Sequence, residues 1–145
     1  MSKVITSDNE IAELLSKTKR VAVVGISDKD DRPSNGVSRW LLAHSHLDLY
    51  FVNPALTTVL GKPCYPSLRD IPVDIDMVDI FRKVSDIRAV VDEAIEIGAS
   101  SIWIQLGLVD DASAARAVDA GLDVVMDLCI KVEYDRLKSV ISPQE

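Results

Sequence analysis

The sequence has no apolar run long enough to cross a bilayer, which excludes a membrane-spanning helix. It also lacks the basic and then apolar opening of a secretory signal. MSKVITSDNE leads directly into a helical pattern, so a cytoplasmic location is expected. Only two cysteines occur, Cys64 and Cys129. They are too few for a disulfide scaffold and too far apart for a zinc-ligand pattern, so both are expected to be buried thiols. Basic residues are outnumbered, 16 against 23 acidic, and the net charge of −7 repels phosphate backbones at long range. Nucleic acid is thereby disfavoured, while a local positive pocket stays open to a small anion. At 145 residues, 48% of them hydrophobic, the chain can bury one real core, and a single domain over 1–145 is expected.

Short apolar runs alternate with helical patterns. The strand candidates are Val21 to Val24, Leu49 to Val52, Met77 to Phe81, Ile102 to Leu106 and Leu122 to Met126. Several are continuously apolar, as strands covered on both faces must be. Val37, Trp40, Leu41 and His44 repeat at helical spacing, as do Ile87, Val90, Val91, Ala94 and Ile95. The second of these helices is expected to start at Ser85 as N-cap and to stop at Gly98. A further helix over Ala114, Ala117 and Val118 ends at Gly121, and Ser7 with Glu10 forms a capping box ahead of Ile11, Leu14 and Leu15. Four prolines between Asn53 and Val73 predict irregular backbone there, with one short strand near Lys62 to Tyr65. The order, α-β-α-β and then β-α-β-α-β, predicts an α/β fold: a Rossmann-like, doubly wound parallel sheet with helices on both faces.

In such a sheet the ligand sits beyond the carboxyl ends of the strands, where strand order reverses. Gly25 ends the first strand, where a missing Cβ allows a sharp turn. Ser27 supplies a hydroxyl, Arg32 a fixed positive charge, and Ser34, Asn35 and Gly36 the amides of a helix start, which together favour an anion. On the loop alone, a phosphate site and a plain solvated turn both remain open. The dinucleotide fingerprint is missing: no G-x-G-x-x-G follows the first strand, and the second ends in Asn53 and Pro54 where a ribose-gripping acid would stand. Both absences count against NAD.

The ordered series V-V-G-I-S…R-P-S-x-G-V, F-V-N-P, V-L-G-K-P-C-Y-P-S-L-x-D-I-P, V-D-I-F-R, W-I-Q-L-G and A-G-L-D-V-V-M-D-L-C-I-K-V-E resembles the small stand-alone coenzyme A-binding proteins. Those proteins are similar to the N-terminal domain of the succinyl-CoA synthetase alpha subunit. The resemblance covers about residues 7 to 138 and implies a Rossmann-like fold holding coenzyme A. It places Gly25, Ile26 and Ser27 on the turn that meets the pyrophosphate, and Arg32 and Ser34 on the rest of the anion loop. Asn53 and Pro54 fall beside the adenosine, and Phe81 and Arg82 on the pantetheine path. The chain departs from the synthetases in reading Pro54-Ala55-Leu56, where they place a lysine just after the proline.

Other residues invite plainer readings. Asp74, Asp76 and Asp79 read as a polar strand start, and no metal site is expected. His44 and His46 read as core-edge residues, and Trp103 as packing, with Gln105 a possible border of the pocket. Arg82 can meet the ligand or pair with Asp79 or Asp86. Cys129 has no histidine close in sequence to activate it, so no catalytic residue is assigned. The expectation is a binder of coenzyme A or an acyl-CoA, acting as carrier, sensor or subunit, with a protein partner or a second copy possible. The alternative is a small NAD(P)-dependent or acyl-CoA-processing enzyme.

Overall fold

Alternation along each strand sorts the apolar side chains into two cores. Val21 and Val23 point one way with Phe51, Met77, Trp103 and Val125, while Ala22 and Val24 point the other way with Val78, Ile80, Ile102 and Val124. The computed structural model describes residues 1–144. Its elements run α1 (Asp8–Lys17), β1 (Arg20–Val24), α2 (Pro33–His44), β2 (Asp48–Val52), β3 (Thr58–Val59), β4 (Lys62–Tyr65), β5 (Met77–Ile80), α3 (Val84–Glu96), β6 (Ser101–Ile104), α4 (Asp111–Asp119), β7 (Asp123–Met126) and α5 (Ile130–Leu137). Helices α1, α2 and α5 cover the first core, and α3 and α4 the second. No helix among the described residues is long and apolar enough to cross a membrane.

The strands lie in the order β3-β4-β2-β1-β5-β6-β7. Every neighbouring pair is parallel except β3 with β4, a short antiparallel hairpin at the edge. From β1 the chain moves outward to β2 and β4, then returns to β5 on the other side of β1. Strand order therefore reverses between β1 and β5. Helix α2 leaves β1 over one face and α3 leaves β5 over the other, so a crevice opens between their starts.

Local chemistry fixes the element ends. Ser7 Oγ accepts the Glu10 N–H at 3.3 Å and donates to Glu10 Oε1 at 2.8 Å, closing the start of α1. Leu15 on its inner face is fully buried, a placement worth about 1.5–3 kcal/mol. Pro33 occupies the first turn of α2, where its missing N–H has no partner to lose. Gly98, with φ +79°, ends α3: its N–H donates to the Ile95 carbonyl and that of Ala99 to the Ala94 carbonyl, both at 3.1 Å.

Four local features differ from expectation. Helix α3 starts at Val84 with Lys83 as its N-cap, so Ser85 lies inside the first turn and caps nothing. The hairpin strand β3 was not anticipated, nor was α5. The α5 signal is Ile130, Tyr134 and Leu137 at helical spacing, broken by Glu133, whose charge is buried against Arg136 at 2.7 Å. Asp79 is no polar strand start: it lies within β5 and is fully buried.

Candidate functional site

A cavity of about 580 Å³ opens at the carboxyl ends of β1, β5, β6 and β7. Gly25, Ser27, Arg32 and Ser34 line it from the β1–α2 side, and Phe81 and Arg82 from the end of β5. A second cavity of about 210 Å³ adjoins it on the α3 side and includes Pro54 and Pro66 in its wall. Gly25 and Arg82 belong to both, so they stand at the junction.

The backbone at Gly25 is specified twice over. Its φ is +90°, and a Cβ there would collide with the Phe81 carbonyl oxygen of the neighbouring strand end. Close approach of the two loops at the switch point, as much as room for a ligand, requires glycine. Beyond it the loop is tied to its own helix. Ser34 Oγ accepts the Ser27 N–H at 3.0 Å, and Asn35 Nδ2 donates to the Ser27 carbonyl at 2.9 Å. Arg39 braces the outer strand of the loop, donating to the Asn35 side chain at 2.8 Å and to the Asp30 carbonyl at 3.1 Å.

The expected helix-start amides are partly spent. The Asn35 and Gly36 N–H groups both donate to the Arg32 carbonyl, at 3.1 and 3.2 Å. Donors left to the cavity wall include the Ser27 and Ser34 hydroxyl protons, since both oxygens only accept within the loop, and the cations. Lys29, Arg32, Arg82 and Lys83 all line it, a cluster of positive charge in an acidic chain. Arg82 also pairs with Asp86 at 3.0 Å across one helical turn, and not with Asp79.

Two candidate residues line neither cavity. The Ile26 side chain is fully buried in the core, and its carbonyl accepts Asn53 Nδ2–H at 2.7 Å. Asn53 Oδ1 accepts the Ala55 N–H at 2.8 Å. Asn53 thus ties the end of β2 to the turn after β1, and its side chain is occupied by protein groups on both sides. Pro54 faces only the smaller cavity.

Other lining residues lie outside the expected set. Lys83 directly follows Arg82, and Lys29 lies two residues after Ser27. Leu106 and Leu108 arrive from the β6–α4 loop, and Gln105 borders the cavity as read from the sequence. Cys129 lines it too and is half-buried, which corrects the expectation of a buried thiol there. Its loop is held by Trp103, whose indole N–H donates to the Leu128 carbonyl at 2.8 Å. Cys64 is buried, and that burial pushes its thiol above the ordinary range. His46 bonds the Tyr134 hydroxyl at 2.7 Å and the Thr18 carbonyl at 2.9 Å, away from either cavity wall, and His44 is exposed on α2. Asp76 accepts the Lys19 and Arg20 amides, leaving the three aspartates with separate surroundings. Among the described residues no three His, Cys, Asp or Glu side chains gather as a metal-binding group.

A doubly wound sheet with a cation-rimmed cavity at its switch point defines the Rossmann-like class of ligand-binding folds. Within that class the chain belongs to the coenzyme A binding domain family, which it matches over residues 19–135. The uncharacterised protein YneT of Bacillus subtilis (strain 168) is 38% identical over 128 residues, covering 88% of this chain and 94% of its own. A hypothetical protein from Pyrococcus horikoshii OT3, solved as a structure, superposes with a TM-score of 0.88 at 38% identity, over 95% of this chain and 98% of that one. An ADP-forming acetate–CoA ligase I of Archaeoglobus fulgidus is 38% identical over 68 residues, 47% of this chain but only 10% of the ligase.

Proposed function

We propose that this protein binds coenzyme A or an acyl-CoA in the cytoplasm, as a carrier, sensor or subunit rather than as a catalyst. The observation that carries the reading is the cation cluster of Lys29, Arg32, Arg82 and Lys83 around the switch-point cavity of a family member. Coenzyme A brings a pyrophosphate and a 3′-phosphate, which suit hydroxyls and guanidinium groups. The Gly25–Ser34 loop would take the pyrophosphate, and the smaller cavity beside Pro54 the adenosine. Arg82, at the junction, is the candidate for the 3′-phosphate, in place of the lysine that the chain lacks after Pro54. The pantetheine arm would then run past Phe81 toward Gln105 and Leu106. Ile26 and Asn53 serve this site by holding the loop, not by touching the ligand.

The test is thermal unfolding with coenzyme A, NAD and NADP at equal concentration, since a ligand that binds only the native state stabilises it by mass action. Coenzyme A is expected to raise the melting temperature most, and Arg32→Ala to shrink that rise. A shift with NAD equal to that with coenzyme A would sink the reading. A second reading, an acyl-CoA-processing enzyme, is favoured by one observation, the thiol of Cys129 in the cavity wall. Acetyl-CoA consumption that disappears in Cys129→Ser would establish it.

A further inference from the structure

Asp79 and Gln105 form a polar pair under the cavity that the binding reading leaves without a task. Asp79 lies between Val23 of β1 and Trp103 of β6 and is fully buried. Gln105 follows β6 directly, lines the larger cavity, and donates its Nε2–H to Asp79 Oδ1. The other carboxyl oxygen, Oδ2, is buried without a partner. A carboxyl group placed among valine, isoleucine and tryptophan is costly to the fold, so its position calls for an explanation other than packing.

The pair has two hydrogen-bonding arrangements. An ionised carboxylate can only accept, so it takes the Gln105 N–H and leaves the amide oxygen, Oε1, to the cavity. A protonated Asp79 can donate its O–H to Oε1 instead; the amide then turns over and its NH₂ faces the cavity. The cavity wall is an acceptor in the first arrangement and a donor in the second. Free coenzyme A ends in a thiol, a donor, whereas an acyl thioester presents a carbonyl, an acceptor.

We propose that Asp79 is a positioning residue for Gln105, and that the pair makes the cavity choose between free coenzyme A and its acyl thioesters according to pH. The inference rests on the coenzyme A reading, which sends the thiol end toward Gln105 once the phosphates are held at the β1–α2 loop. Desolvation raises the Asp79 carboxyl to about 7, with the Gln105 hydrogen bond opposing, so both arrangements are populated near neutrality. Among the described residues no charged side chain pairs with Asp79. The residues that α1 and α2 bury include no titratable group, and α5 buries only Glu133, held by Arg136, and Tyr134, bonded to His46. From the cavity side the titratable groups are Lys29, Arg32, Arg82, Lys83 and Cys129.

The test is calorimetric affinity for coenzyme A and for acetyl-CoA at about pH 6 and about pH 8, one unit either side of the Asp79 value. The ratio of the two affinities is read, because titration of the phosphates is common to both ligands and cancels. Between the lower and the higher pH the ratio is expected to move toward free coenzyme A by about threefold to tenfold, the worth of one hydrogen bond. Asp79→Asn, which has no proton to take in this range, and Gln105→Met, which has no amide to turn, should each leave the ratio constant. A wild-type ratio that does not change with pH while both ligands bind overturns the inference and leaves the coenzyme A reading intact. So does a pH swing that survives in Asp79→Asn. Failure of both ligands to bind removes the coenzyme A reading, and the inference with it.

Discussion

Gly25 and Asp79 are single residues whose surroundings decide their effect. In Gly25→Ala the new Cβ meets the Phe81 carbonyl while φ stays at +90°, so a collision is added to a backbone conformation that L side chains rarely adopt. A loss of about 1–3 kcal/mol is expected, read as a lower urea midpoint with unchanged slope. For Asp79 the direction depends on pH. Its folded pKa of about 7 exceeds the ordinary carboxyl value of 3.8, so the native state keeps a proton that the unfolded chain has released. Native stability is intact below about 3.8 and falls as the pH rises toward 7. Asp79→Asn should therefore match the wild type at low pH and exceed it at alkaline pH, by an amount on the order of a few kcal/mol. Denaturant unfolding at the two extremes checks this; an equal effect at both would assign the change to packing. Glycine at the end of an apolar run was legible in the sequence because the run named the strand. The burial of Asp79 was not, since it depends on β1 and β6 flanking it and on helices arriving from three distant segments.

The helices differ in how much of their stability is local. Helix α1 carries its own start signal, and Ser7→Ala should cost about 1 kcal/mol by leaving the Glu10 N–H without its cap. Hydrogen exchange at the first turn of α1, faster in the variant while the sheet core is unchanged, would separate this from a global effect. Helix α5 has no side-chain cap; it is held from outside, where Arg136 joins Glu133 beneath it to Asp8 of α1 at 2.7 Å. That difference explains what could be read in advance. The Ser7–Glu10 box and the periodicities of α2 and α3 are written in adjacent residues, whereas the inner face of α5 is interrupted by Glu133, whose partner Arg136 reaches on to Asp8, 128 residues away in sequence. The same reason kept Leu108 and Cys129 out of the expected site. Parallel strands deliver their carboxyl ends to one rim, and residues far apart in sequence become neighbours only once strand order is known.

At the scale of the molecule, six strands run parallel, and the outer strand of any such sheet offers its unpaired amides and carbonyls to another chain unless something covers them. The outer edge beyond β7 is not left open. Residues before α1 lie along it: the Ile5 N–H donates to the Val124 carbonyl at 2.7 Å, the Val124 N–H to the Lys3 carbonyl at 3.0 Å, and Val4 bridges Val124 in parallel. Ile5 is buried as well, so this segment is both strand and core. A chain shortened to begin at Thr6 should keep the switch-point cavity, which lies at the strands' carboxyl ends, yet elute from a sizing column in a concentration-dependent, enlarged form. Unchanged elution would show that the edge needs no cover. By occupying the Val124 amide and carbonyl on the outer side of the last strand, the amino-terminal segment denies them to the next molecule, and would so guard against polymerisation.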